Sequence, residues 1–188
     1  MRRIWMRYAF GVAALALTLA SGSANAWVCD FLTGGGFIVR DTGAKANFGV
    51  GGGCKDGSPT WGHLEYIDHG LGLNVHWTSI TAYMEIDSSN DDKGRPIGAR
   101  FICGTARTNL FGDVDWVVAA RDQGEPGDDD AFIIRLTQNG ITLYTTEFDS
   151  DHSLGGPGSG GGNIQLHKPN PSTTGSFGGS CPALSGGA

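Results

Sequence analysis

Charge is scarce in this chain. Only 17% of its 188 residues are Asp, Glu, Lys or Arg, against ~25% in an ordinary soluble domain. With an apolar share of 39%, that scarcity excludes disorder driven by charge and leaves enough material for one core. A basic excess is missing too, since 13 Lys and Arg stand against 19 Asp and Glu, and such a balance disfavours binding to a phosphate backbone. After Ala20 no apolar run approaches the ~20 residues of a membrane-spanning helix. Apolar residues nowhere hold a helical period over three turns, and heptads are absent. The four cysteines include no pair at the short spacing of a zinc knuckle.

Glycine, in contrast, is abundant, with 32 residues. Residues 1–26 read as an export signal: Arg2, Arg3 and Arg7 form a basic start, Phe10 to Ala20 an apolar run, and Ala24-Asn25-Ala26 a cleavage site. The residues after Arg3 do not continue a twin-arginine pattern. Trp27 and Val28 are too large for a lipobox before Cys29. Cleavage removes three arginines and no acid, so 10 basic residues face 19 acidic ones, a net charge of -9. The expected location is secreted or periplasmic, and the expected partner an extracellular ligand or surface polymer rather than nucleic acid. In an oxidising compartment four cysteines are most simply two disulfides. Three pairings are open, and the expected one is Cys29 with Cys181 and Cys54 with Cys103.

From Phe37 onward apolar residues alternate at period two between turn residues, an all-β signature. Ala44, Ala46, Phe48 and Val50 share one face, Lys55 to Pro59 makes a turn, and Trp61 to Asp68 forms a strand. Leu71, Leu73, Val75 and Trp77 occupy odd positions while Ile80, Ala82, Met84 and Ile86 occupy even ones, so a bulge or corner is required between Trp77 and Ile80. Ser88 to Pro96 reads as an exposed loop. Strands follow at Ala99 to Cys103, Val114 to Ala120 and Phe132 to Leu136. Asn139-Gly140 predicts a type I′ hairpin into Ile141 to Tyr144. Leu154 to Gly162 reads as a flexible connection and Ile164 to His167 as a last strand. The expectation is an antiparallel β-sandwich or barrel-like sandwich of about nine or ten strands over 27–168, its two layers covering each other. A Pro/Ser/Gly-rich tail, 169–188, adds nothing to that core.

The ordered blocks TGGGFI (Thr33 to Ile38), KANFGVGGG (Lys45 to Gly53), WGHLEYIDH (Trp61 to His69), GLNVHWTSIT (Gly72 to Thr81), DQGEPGDDDAF (Asp122 to Phe132) and GGNIQLHKP (Gly161 to Pro169) resemble the post-COAP domain family of exported bacterial proteins. The resemblance covers nearly the whole mature domain. It implies a secreted β-rich module of uncharacterised role and supplies no catalytic residues.

Several groups are candidates for chemistry. Asp122, Glu125, Asp128, Asp129 and Asp130 concentrate carboxylates in a loop shaped by glycine and proline, and calcium takes six to eight such oxygens. The competing reading is a solvated turn whose carboxylates cap backbone amides. Asp87, Asp91 and Asp92 are the next acidic group. Asp68-His69 with His76 is the closest histidine cluster, and zinc is disfavoured there because its ligands must converge on one point. Glu65, Glu85, Asp113 and Asp115 are the carboxyls available to a glycosidase, whereas the serines at Ser159 and Ser176 lie in segments unable to hold a nucleophile. Trp61, Tyr66, Trp77, Tyr83 and Trp116 are candidates for a sugar-stacking platform. The triplets Gly34-Gly35-Gly36 and Gly51-Gly52-Gly53 read as turn or bulge residues rather than a phosphate cradle. The leading expectation is a non-catalytic module with a binding or structural role at or outside the cell envelope. A calcium-dependent carbohydrate-binding module and a small extracytoplasmic hydrolase are the alternatives.

Overall fold

The computed structural model describes residues 29–55, 61–127, 129–157 and 160–184. The expected export signal and, apart from Lys55, the expected turn from Lys55 to Pro59 lie outside them. Nine strands form one antiparallel sheet: β1 (Phe31–Val39), β2 (Lys45–Gly53), β3 (Trp61–Asp68), β4 (Leu73–Asn90), β5 (Pro96–Thr108), β6 (Gly112–Asp122), β7 (Ala131–Gln138), β8 (Ile141–Thr145) and β9 (Gly162–His167). Their spatial order is β8-β7-β6-β5-β4-β3-β2-β1-β9, an up-and-down meander whose last strand returns beside the first.

The sheet curls into a half-barrel. Its alternating apolar residues face inward, among them Leu32, Phe48, Leu64, Tyr66, Ile102, Trp116, Phe132 and Ile134. Phe48 on β2 stacks on Phe132 on β7 at 4.0 Å between ring centroids, although four strands lie between the two in the sheet order. The two β layers expected from the sequence are therefore opposite ends of one curled sheet. With no long helix to cover it, a single sheet buries its apolar face by folding onto itself.

The hairpin at Asn139-Gly140 is as expected, with φ of 53° and 79° and Gln138 paired to Ile141 across it. A bulge falls between Trp77 and Ser79, where the alternation changes parity. A second bulge, between Ile80 and Ala82, separates residues expected on one face: Ile80 and Tyr83 point into the main core, while Ala82 packs with Cys103 and Val117 on the outer face. The bulges bring the Ser79 carbonyl toward β5, where a Cβ on Gly104 would lie 1.9 Å from it. Only glycine fits there.

Four further expectations are corrected. The loop at Ser88 to Pro96 shrinks, because Asn90 still pairs with Pro96. The glycine triplets belong to strands, one in the middle of β1 and one at the end of β2, rather than to turns. The connection after Leu154 is pinned: the Leu154 amide donates to the Asp130 carbonyl and the Gly155 amide to the Phe37 carbonyl, and Leu154 is fully buried. The disulfides join Cys29 to Cys54 and Cys103 to Cys181. Register explains the first, because Phe31 pairs with Gly53 and so brings the residues just beyond that row together. The second follows from the tail, which first pairs along β4, where Phe177 stacks on Tyr83 and Gly178 and Tyr83 exchange backbone hydrogen bonds, and then crosses the outer face, where Cys181 reaches Cys103 and Leu184 joins the small outer cluster.

Candidate functional site

The acidic loop leads from β6 into β7 and lies along the free side of β9, an edge strand whose sheet neighbour is β1. Asp130 Oδ2 accepts from the Ile164 amide at 2.6 Å and Asp122 Oδ2 from the Leu166 amide at 2.7 Å. Their other oxygens accept from the Gln123 and Gly124 amides. Two carboxylates thus take the place of a neighbouring strand and cap donors that an edge would leave open. Burial pushes the Asp130 carboxyl up to about 6; the two amides oppose that rise, and the charges of Asp122 and Glu125 add to it. Asp122 is also raised, again chiefly by burial. Glu125 and Asp129 are exposed, Glu125 accepts from Asn163 Nδ2, and Asp128 lies outside the described residues. Among the described residues no three Asp, Glu, His or Cys side chains converge as metal ligands.

The histidines are dispersed. His69 bonds Asn47, His76 pairs with Glu65, His152 reaches the Thr146 carbonyl and His167 the Thr33 hydroxyl. Of the carboxyls considered for a glycosidase, Glu65 and Asp113 fall on one cross-strand ladder, Glu65, His76, Arg107, Asp113, while Glu85 pairs with Arg100 and Asp115 with Thr105 on other rows. Three strand spacings of ~4.8 Å put Glu65 and Asp113 roughly 14 Å apart, beyond the ~5–9.5 Å of paired glycosidase carboxyls. Of the five aromatic candidates Tyr66, Tyr83 and Trp116 are buried, and Trp77 packs against the core. Trp61 alone of the five stands on the outer face.

At one end of the half-barrel, Arg40 joins Asp68, Asp149 and Tyr144 beside an open hollow of about 510 Å³. All of its donors are engaged, one of them by the Thr145 carbonyl. Burial works against the Asp68 charge, yet the Leu71 and Gly70 amides, Tyr144 and Arg40 together hold its pKa below the usual value. A cation saturated in this way locks the barrel end and has nothing left to offer a ligand.

The outer face of β9, β1, β2 and β3 is different. His167, Phe31, Gly53 and Trp61 form one cross-strand row; Gln165, Thr33, Gly51 and His63 the next; Asn163, Gly35, Gly49 and Glu65 a third; Phe37, Asn47 and Ile67 a fourth. The middle is bare of side chains at Gly35 and Gly49. A Cβ on Gly49 would meet nothing within 4 Å, and one on Gly35 only the Phe48 carbonyl oxygen at 3.4 Å. Neither glycine has positive φ. At one end Phe31 stacks on His167 and meets Trp61 edge-on, with Lys55 Nζ 4.3 Å from the Trp61 ring centroid. At the other end Lys45 Nζ lies 4.3 Å from the centre of Phe37.

Of these groups the sequence singles out Trp61, Glu65, His63 and His167 for chemistry. Phe31, Lys45, Asn47 and Lys55 carry no such mark in the sequence, and Gly35, Gly51 and Gly53 belong to triplets that read as turns or bulges. One signal was present: every outward position of β2 after Asn47 is glycine, at 49, 51 and 53. No protein-family model matches the chain, and no curated protein or solved structure matches it either.

Proposed function

We propose that this chain is a secreted, non-catalytic binding module, of the post-COAP kind that its six sequence blocks resemble, and that its ligand lies across the outer face of β9 to β3. The observation that carries this reading is the pair Gly35 and Gly49. Interior strand glycines weaken a sheet by roughly 0.5–1 kcal/mol each relative to alanine, and such positions otherwise mark a close backbone approach or a ligand. Neither sterics nor φ demands glycine at Gly49, which leaves access to the face as its use. Aromatic rings and amide and imidazole side chains surround this bare strip, the surface chemistry suited to sugars. Two disulfides and the lack of a membrane-spanning helix among the described residues are compatible with an extracellular location.

A glycan array probed with the wild-type chain and with Gly49→Trp tests the reading. The wild type is expected to retain a polymer that the variant does not, with the variant melting no lower. An array on which both behave identically removes the face as the site, and turnover in a broad hydrolase screen overturns the non-catalytic assignment.

A further inference from the structure

We propose that the ligand of this face is a linear anionic polysaccharide whose acidic groups are held by Lys45 and Lys55. The inference rests on the binding reading above and adds the ligand's charge.

The argument is one of charge complementarity. The whole chain carries 19 acidic and 13 basic residues, yet the four outward rows of β9, β1, β2 and β3 contain a single carboxylate, Glu65, and that one is paired with His76. Lys45 opens β2 and Lys55 follows its end, so one ammonium stands at each end of the face. Both lie over aromatic rings, Phe37 for the first and Phe31 with Trp61 for the second. Neither has a carboxylate partner among the described residues. The rings hold the ammoniums on the surface without neutralising them, as an aromatic face attracts a cation through its quadrupole alone. Phe31 and Phe37 are six residues apart on one strand, which puts the two cationic ends roughly 20 Å apart at ~3.3 Å per residue.

A ligand that spans both ends is extended, carries repeated negative charge and lies on a shallow floor. An acidic peptide fits less well. β1 and β2 are paired on both sides and the acidic loop caps the amides of β9, so strand addition is blocked there, and Ile67 is the one large aliphatic side chain in the four rows. Nucleic acid is disfavoured by four rows without arginine, the side chain that holds a phosphate bidentately. In a sugar polymer the hydroxyls would meet Asn47, Asn163, Gln165 and His63, while the carboxylates or sulfates meet the lysines.

Affinity electrophoresis of the full mature chain supplies the test, in gels containing polygalacturonate, its fully methyl-esterified neutral form, a neutral β-glucan or poly-glutamate. Polygalacturonate is expected to retard the protein, with loss of retardation at about 0.5 M salt. The double variant Lys45→Gln/Lys55→Gln is expected to weaken binding about tenfold or more, since a lysine near an anionic surface contributes ~1 kcal/mol. Gly49→Trp, whose Cβ would meet nothing within 4 Å, should abolish binding with the melting temperature no lower. Equal retardation by the esterified polymer, or full binding by the double variant, overturns the proposal. Retardation by the neutral glucan that Gly49→Trp removes would leave the binding reading standing and this inference fallen. Equal capture of poly-glutamate through the lysines would make the occupant a peptide and refute the sugar. No retardation by any polymer would remove both.

Discussion

With its side chain shut away from water and its carboxyl pushed up to about 6, Asp130 titrates well above the ordinary 3.8 that it recovers on unfolding. Between those values the native state binds a proton that the unfolded state lacks, so stability rises as the pH falls through the window and declines as the pH climbs back to about 6. The effect is on the order of 2–3 kcal/mol. Asp68 acts in the opposite sense: its pKa is lowered on folding, so its contribution is present above 3.8 and is lost only as the pH falls through its native value. Melting temperature is therefore expected to be higher at about pH 5 than at about pH 7.5, and Asp130→Asn should flatten that difference. A wild-type curve that falls on acidification over this range would contradict the assignment. Two glycines give a second contrast at this scale. Gly104→Ala forces a Cβ against the Ser79 carbonyl and is expected to destabilise by about 3 kcal/mol or more. Gly49→Ala meets nothing and should stabilise by up to about 1 kcal/mol. Denaturant unfolding of the two variants measures both, and equal effects would refute the distinction between a packed and an open glycine.

Elements are held by contacts that strand patterning does not announce. The segment after Ser176 carries little apolar content, yet Phe177, the Gly178 bridge and Cys181 fasten it over β4 and β5. The Cys103–Cys181 bridge closes a separation of 78 residues and Cys29–Cys54 one of 25. In the chain-entropy view these contribute about 4.5 and about 3.5 kcal/mol. Replacing Cys103 and Cys181 together by serine is accordingly expected to be the more destabilising of the two paired replacements and to expose the tail to proteolysis. Non-reducing peptide mapping provides the direct check, and recovery of a Cys29–Cys181 peptide would undo the docked arrangement of the tail.

For the molecule as a whole, the acidic residues are distributed in a way that bears on calcium. Asp122 and Asp130 already accept two backbone amides each, so they offer a cation little, and they close the free side of β9. Melting temperatures in chelator and in excess calcium are expected to coincide. A calcium-dependent rise that Asp128→Asn with Asp129→Asn removes would restore a metal role for the loop.

The sequence determined what depends on local chemistry. Alternation at period two made Phe48, Trp116 and Phe132 core residues of strands, the parity change after Trp77 demanded a bulge, and Asn139-Gly140 set a two-residue turn through its positive φ. Tertiary structure decided what depends on which distant surfaces meet. Whether the strands make two sheets or one curled sheet follows from the stacking of Phe48 on Phe132 across the interior, a contact between residues 84 positions apart in the chain. The same holds for the disulfides, because three pairings satisfy the sequence equally and only the register of β1 on β2 and the path of the tail select one. The acidic loop showed its charge in the sequence but not its use, since the amides of β9 that its carboxylates accept lie 34 and 44 residues away. Gly35 and Gly49 are invisible as a surface until register sets them side by side, for a glycine in a sequence states only that a side chain is missing and not which face it leaves open.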